Sequence, residues 1–144
     1  SCSSMIVDTS MLVDALADSG ERGDAARRVL TQPGDHFAAP GLLAVEVMSA
    51  LRRLVVDPTA DFTEADLEAA LEEAERYGVV IEGTPWGDVR RAWELARGSI
   101  RYTDGVFVAH AERTNRLLVT ADGRLGRSGA NVRCTIIDLG AQEG

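Results

Sequence analysis

Met5-Ile6-Val7-Asp8-Thr9-Ser10-Met11-Leu12-Val13-Asp14-Ala15-Leu16 decides the fold. Met5 to Val7 is an apolar run of strand length that ends on an aspartate, and Leu12, Val13 and Leu16 then recur at helical spacing. The same order returns far downstream, where Leu117-Leu118-Val119-Thr120 is a strand-like run closed by Asp122. Between them, His36 to Ala39 reads as a second strand closed by Pro40, and Val79-Val80-Ile81 as a third. Cys134 to Leu139 reads as a fifth. Helical periods separate these strands. Ala25 to Leu30 resumes the first helix, and Gly41 to Leu54 carries Leu43, Val47, Ala50, Leu51 and Leu54 on one face. Thr63 and Asp66 make an acidic capping box for a helix through Leu67, Ala70, Leu71 and Ala74, ending at Tyr77-Gly78. Pro85 opens a helix through Val89, Trp93 and Ala96, and Thr103 is placed to cap a helix from Asp104 to Thr114. Strands alternating with helices predict an α/β fold with a central parallel sheet of about five short strands.

Composition bounds the function. The chain has 144 residues, enough for one domain, expected over residues 5–144. Ser1-Cys2-Ser3-Ser4 reads as a remnant ahead of an initiator at Met5, with no basic region or apolar stretch of a signal peptide. The apolar runs fall short of the ~20 residues of a membrane span. Cys134 is then the one native cysteine, which rules out a disulfide framework or a zinc cluster and points to a reducing cytoplasm. All fifteen basic residues are arginine, so no mechanism can use a lysine. The net charge of −8 argues against broad electrostatic capture of nucleic acid. A nuclease would need a cation among its carboxylates and a local arginine patch.

In a parallel sheet, ligands bind beyond the carboxyl ends of the strands, where the winding reverses. Asp8 and Asp122 both fall on that edge, although an aspartate there also serves as a helix cap. Glu46 lies in a helix between Leu43 and Val47, facing the core seam, where an unpaired charge costs several kcal/mol. It needs a cation or a donor, the donor being for instance a salt bridge to Arg52 or Arg53. Asp104 begins its helix, where the dipole favours it, and Val106-Phe107-Val108-Ala109 packs that helix on the sheet. Four carboxylates with no histidine or cysteine cluster are hard oxygen donors, suited to Mg²⁺ or Mn²⁺ and to phosphate chemistry. Arg90, Arg91, Arg97 and Arg101 before Asp104, with Arg124 and Arg127 after Asp122, are candidates for a basic rim. Arg101 and Arg124 flank the proposed ligands and are the best RNA-contact candidates. Trp86 and Trp93 could stack on bases, but Trp93 shares helical spacing with Val89 and Ala96 and is assigned to the core. His36 and His110 lack ligand spacing, and His110 is assigned to a helix surface or an interface.

The ordered set Met5-Ile6-Val7-Asp8-Thr9-Ser10, Glu46, Tyr102-Thr103-Asp104-Gly105 to Glu112, and Leu118-Val119-Thr120-Ala121-Asp122 resembles the PIN domain, and in order and spacing the VapC-type toxins of bacterial toxin–antitoxin pairs. The resemblance runs from Met5 to Leu139. It implies a three-layer α/β/α fold and a Mg²⁺- or Mn²⁺-dependent endoribonuclease acting on transfer or ribosomal RNA. It also implies a VapB-type antitoxin partner, bound at a groove made partly by helices 41–54 and 64–77, and a homodimer. Asp8, Glu46, Asp104 and Asp122 match the family's acidic positions, with Glu46 able to act through a water. Thr9, Ser10 and Thr120 match its hydroxyl positions, which orient the carboxylates. Leu125 departs from the aromatic of many relatives and puts the packing there in question.

Three rival readings stand beside this one. Enzymes with a phosphorylated aspartate need a lysine, and the dehalogenase-like ones a second aspartate where Ser10 stands; both are excluded. A binding module that has lost catalysis would lack some of the acidic residues. A PIN nuclease of RNA processing, outside any toxin system, would share all four.

Overall fold

A computed structural model describes residues 4–126 and 131–140. Five parallel strands form one sheet in the order β3-β2-β1-β4-β5: β1 (Met5–Val7), β2 (Phe37–Pro40), β3 (Val80–Glu82), β4 (Leu118–Thr120) and β5 (Ile136–Asp138). The chain winds outward from β1 through β2 to β3, then crosses back to place β4 on the other side of β1. The reversal therefore falls between β1 and β4, paired through Ile6 with Leu118 and Val7 with Val119. The predicted α/β/α architecture is the observed one.

Two helix layers cover the sheet. On one side lie α1 (Thr9–Ala17), α2 (Glu21–Leu30), α3 (Leu42–Val56) and α4 (Glu64–Tyr77), with Met11, Leu12, Ala15, Leu43, Val47 and Leu51 buried. On the other lie α5 (Trp86–Ala96) and α6 (Tyr102–Thr114). A one-turn helix, α7 (Gly123–Gly126), follows β4. The capping box of α4 is formed: the Asp66 N–H donates to Thr63 Oγ1 at 3.1 Å, and the Thr63 N–H to Asp66 Oδ2 at 2.8 Å. Gly78, at φ 67°, ends this helix in the left-handed region, where a residue without Cβ bears no penalty.

Several boundaries and faces differ from the sequence reading. Helix α6 starts at Tyr102 with Arg101 as its N-cap, so Thr103 lies inside the helix and caps nothing. Pro85 is itself the N-cap of α5. Helix α5 buries Asp88, Ala92 and Leu95, which leaves Trp93 60% exposed instead of in the core. Asp88 can lie inside because Arg113 Nε donates to both of its oxygens, at 2.9 and 3.0 Å.

His110 is fully buried, not a surface residue, because α6 is enclosed on every side from Gly105 to Ala111. Its Nε2 lies 2.7 Å from Glu82 Oε1, and Arg116 hydrogen-bonds the same carboxylate. Those bonds, Arg116 first and His110 second, hold Glu82 below the ordinary carboxylate pKa. The cluster fastens the end of β3 to α6. Leu125 is buried and completes the core without an aromatic. Arg127, one of the rim candidates, lies outside the described residues.

Candidate active site

Asp8 follows β1 at the reversal point and caps α1, accepting the Met11 N–H on Oδ1 at 3.2 Å. The residue is only 4% exposed. Two hydroxyls also serve it: Ser10 donates to Oδ1 at 2.7 Å, and Thr120, at the end of β4, donates to Oδ2. Each hydroxyl has one proton, so the 3.2 Å approach of Ser10 Oγ to Thr120 Oγ1 is contact, not a further hydrogen bond. Both oxygens instead accept from the next strand end: the Ala121 N–H donates to Ser10 Oγ at 2.9 Å, and the Asp122 N–H to Thr120 Oγ1 at 3.0 Å. A backbone link runs alongside, from the Asp8 N–H to the Val119 carbonyl at 3.3 Å. The loops after β1 and β4 are thus tied into one unit.

Burial pushes the Asp8 carboxyl up to about 6, against the pull of its three donors, and the nearby Asp104 charge adds to the rise. A buried carboxylate supplied with three donors is organised to carry charge, yet the apolar surroundings penalise that charge.

The other three acidic residues line the same cleft, of about 810 Å³. Asp122 follows β4, and Asp104 stands in the first turn of α6. Glu46 comes from α3, but its side chain faces the cleft, half-buried, and not the core seam. Its partner is the Thr9 hydroxyl, which donates to Oε1; among the described residues neither Arg52 nor Arg53 pairs with it. A neighbour on α1 thus supplies the donor that Glu46 needs, in a half-buried position where the full cost of core burial does not arise.

Arginines hold the remaining carboxylates. Arg101 Nε donates to Asp104 Oδ2 at 3.0 Å, and its Nη2 stands 3.6 Å from Asp122 Oδ2. Arg124 donates to Asp122 Oδ1 from both its backbone N–H, at 3.0 Å, and its Nε, at 3.2 Å. Burial alone would raise Asp122, but the Arg124 bonds outweigh it and leave its pKa below the ordinary value.

The sequence missed part of the lining. Asp14, Arg22, Ser49 and Arg53 also face the cleft. Asp14 lies one helical turn beyond Ser10, and Arg53 two turns beyond Glu46, so helical spacing carried the signal for both. Arg22 had no local signal; it reaches across to the Ala121 carbonyl at 3.0 Å and to Asp14 at 3.2 Å. Arg91 does not belong to the rim, because Glu112 at 2.8 Å and Glu94 at 3.3 Å engage it. Arg90 and Arg97 lie outside the cleft lining as well, and His36 is exposed at a distance from it.

Gly105 sets the position of Asp104. A Cβ there would stand 3.0 Å from the Ala92 carbonyl oxygen and 3.2 Å from Ala92 Cα, so α5 and α6 meet backbone to backbone. Gly105→Ala is expected to force the two helices apart. It should cost about 1–2 kcal/mol by thermal melting, after the gain of up to about 1 kcal/mol in helix propensity. Unchanged or increased stability would show that the close approach is not needed.

The donor set fits a hard divalent cation in kind: the side chains lining the cleft that could ligate a metal offer only oxygen, several of them anionic. In spacing, no group of three or more His, Cys, Asp or Glu among the described residues forms a ready-made cage. Guanidinium groups supply the positive charge at Asp104 and Asp122, and a cation would have to take over that role. Asp8, between its donors, is independent of any arginine.

The PIN domain model matches residues 5–130. Ribonuclease VapC3 of Mycobacterium tuberculosis is 36% identical over 124 residues, covering 86% of each chain. Ribonuclease VapC9 of the same species is 33% identical over 132 residues, covering 92% of this chain and 95% of that one. In fold, the chain resembles the crystal structure of M. tuberculosis VapC20, described as a sarcin-ricin loop cleaving toxin. That likeness has a TM-score of 0.67 at 17% identity, over 88% of this chain and 96% of that one. VapBC2 from Rickettsia felis, bound to a DNA fragment from their promoter, gives 0.67 at 14% identity, over 94% and 98%. With its family match and two VapC relatives spanning most of its length, the chain belongs to the PIN-domain family as a VapC-type member.

Proposed function

We propose that the chain is a metal-dependent endoribonuclease that hydrolyses RNA phosphodiester bonds and acts as the toxin of a VapBC-type pair. One observation carries the proposal: Asp8, Glu46, Asp104 and Asp122, from four separate elements, line one cleft at the sheet's reversal point. In this reading Asp8, Asp104 and Asp122 hold Mg²⁺ or Mn²⁺, with Glu46 contributing directly or through a water. A bound divalent cation supplies charge for the phosphate oxygens and a more acidic water for attack. The protein's own part is positional. Ser10, Thr120 and the Met11 N–H fix the Asp8 oxygens, and Thr9 orients Glu46. Arg101 and Arg124, with side chains 63% and 73% exposed, can turn from their carboxylates to the phosphate.

Transfer or ribosomal RNA is the proposed substrate class, in keeping with the fold neighbour VapC20, described as a sarcin-ricin loop cleaving toxin. A VapB-type antitoxin is the proposed partner, because fold neighbours from Rickettsia felis and Klebsiella pneumoniae were solved as toxin–antitoxin assemblies. The proposal places the protein in the cytoplasm, where those RNAs are; among the described residues no helix is long and apolar enough to cross a membrane. A homodimer is part of the same reading, in keeping with exposed apolar Val80 and Ile81 on the edge strand β3.

Purified protein is expected to cut total RNA with Mg²⁺ or Mn²⁺ and to stop in EDTA, with activity returning when the metal is restored. Cleavage that persists in EDTA would overturn the metal assignment, and intact RNA under all conditions the nuclease reading. Mapping RNA 5′ ends after induced expression would identify the substrate.

A further inference from the structure

Helix α5 buries Asp88, Ala92 and Leu95, and its opposite face carries Trp86, Arg90, Trp93 and Arg97. At 100° per residue these four fall within about 60° of one another around the helix. The tryptophans are 85% and 60% exposed, and both arginines are exposed. Large apolar side chains in water need a reason, and these are the only two tryptophans in the chain.

The stripe is also cleared of negative charge. Glu94 is drawn aside by Arg91 at 3.3 Å, and Asp88 is buried against Arg113. Among the described residues no carboxylate pairs with Arg90 or Arg97. On a chain of net charge −8, two uncommitted arginines between two exposed indoles form a local surface suited to an anionic, base-bearing polymer. Trp86 and Trp93 lie ~10 Å apart along the axis, a separation that a few nucleotides of a single strand can span.

The stripe also leads to the cleft. Arg97 caps the C-terminus of α5, and four residues later Arg101 contacts Asp104 and Asp122. Ser99, Ile100 and Arg101 line a small recess shared with Asp104 and Arg124.

We propose that Trp86, Arg90, Trp93 and Arg97 form an auxiliary track for single-stranded RNA, which stacks bases and holds phosphates of substrate flanking the bond in the cleft. This rests on the ribonuclease reading above. The track acts in binding and positioning, away from the reacting atoms.

Because both tryptophans lie on the track, tryptophan emission, excited where tyrosine does not absorb, reports on it alone. A 12-nucleotide oligouridylate added to the protein in EDTA should quench the emission. Arg90→Gln with Arg97→Gln should flatten the salt dependence of that binding by about 1.4 in log–log slope, from ~0.7 per phosphate. In the presence of metal, Trp86→Ala or Trp93→Ala should each raise KM for RNA at least about fivefold with kcat unchanged, and Trp→Phe should restore KM. If RNA is cleaved but emission and KM do not respond, the track is wrong and the ribonuclease reading stands. If emission is quenched but no RNA is ever cut, the track stands and the ribonuclease reading fails. If emission instead follows protein dilution, and Trp93→Ala converts a dimer to a monomer, a second copy occupies the face and the proposal is overturned.

Discussion

Asp8→Asn is expected to abolish RNA cleavage and, in the same protein, to raise the melting temperature measured without metal. The first effect follows from the proposed role: residues that merely support metal ligands cost about 10–100-fold when removed, so losing a ligand should exceed that. The second follows from burial. The folded state holds the Asp8 proton up to a pH of about 6, against an ordinary value of 3.8. Between those values the folded state binds the extra proton, so the contribution of Asp8 to stability falls as pH rises and is lowest above about 6. At 1.36 kcal/mol per unit the penalty is about 3 kcal/mol. Asparagine carries no charge, remains a good N-cap and still accepts from Ser10 and the Met11 N–H.

The gain should be absent below pH 4 and complete near pH 7, amounting to several degrees for a chain of this size. Added Mg²⁺ should stabilise the native protein and leave the variant unmoved. Undiminished cleavage by Asp8→Asn would remove the proposed site, and a lower melting temperature at pH 7 would contradict the buried-charge argument.

That tension at Asp8 was half legible in the sequence. A short apolar run, an aspartate and a helical period are local signals, so the positions of Asp8 and Asp122 at strand ends could be read directly. Of the donors that hold Asp8, the Met11 N–H follows from its place as a helix cap and Ser10 is two residues on, but Thr120 could not be derived from spacing. Thr120 is 112 residues away and meets it only because β4 returns to the side of β1. The resemblance named Thr120, and the sheet order explains it. Glu46 lay in the right helix with the wrong environment, because its relief comes from Thr9 across the gap between α1 and α3.

The two clear misreadings share a cause. Helical periodicity tells inside from outside only when one face is apolar. In α6 every position from Gly105 to Ala111 is buried, so the pattern held no information about His110, whose partner Glu82 is 28 residues away. In α5 one position of the buried face is Asp88, a charge made tolerable by Arg113. Reading only apolar residues shifted the phase by one and turned Trp93 inward. The same buried ion pair places both tryptophans in solvent.

Thr120→Val provides the second test, because it keeps the shape of a fully buried side chain and removes only its hydroxyl. That hydroxyl donates to Asp8 Oδ2 and accepts the Asp122 N–H at 3.0 Å, so its loss disturbs two proposed ligands at once. Asp8 loses the strongest of the donors that restrain its pKa, so its titration should move above about 6. Cleavage at neutral pH should fall about 10–100-fold, with the acid limb of its pH profile displaced to higher pH and partial recovery toward pH 8. The unsatisfied Asp122 N–H should cost about 1–3 kcal/mol of stability. Thr120→Ser, which retains the hydroxyl, should show neither the displaced profile nor most of the loss. An activity loss with an unmoved pH profile would mean that Thr120 serves only packing. A displaced profile, together with an Asp8 titration that moves in the metal-free protein, would mean that the hydroxyl sets the charge on which metal binding depends.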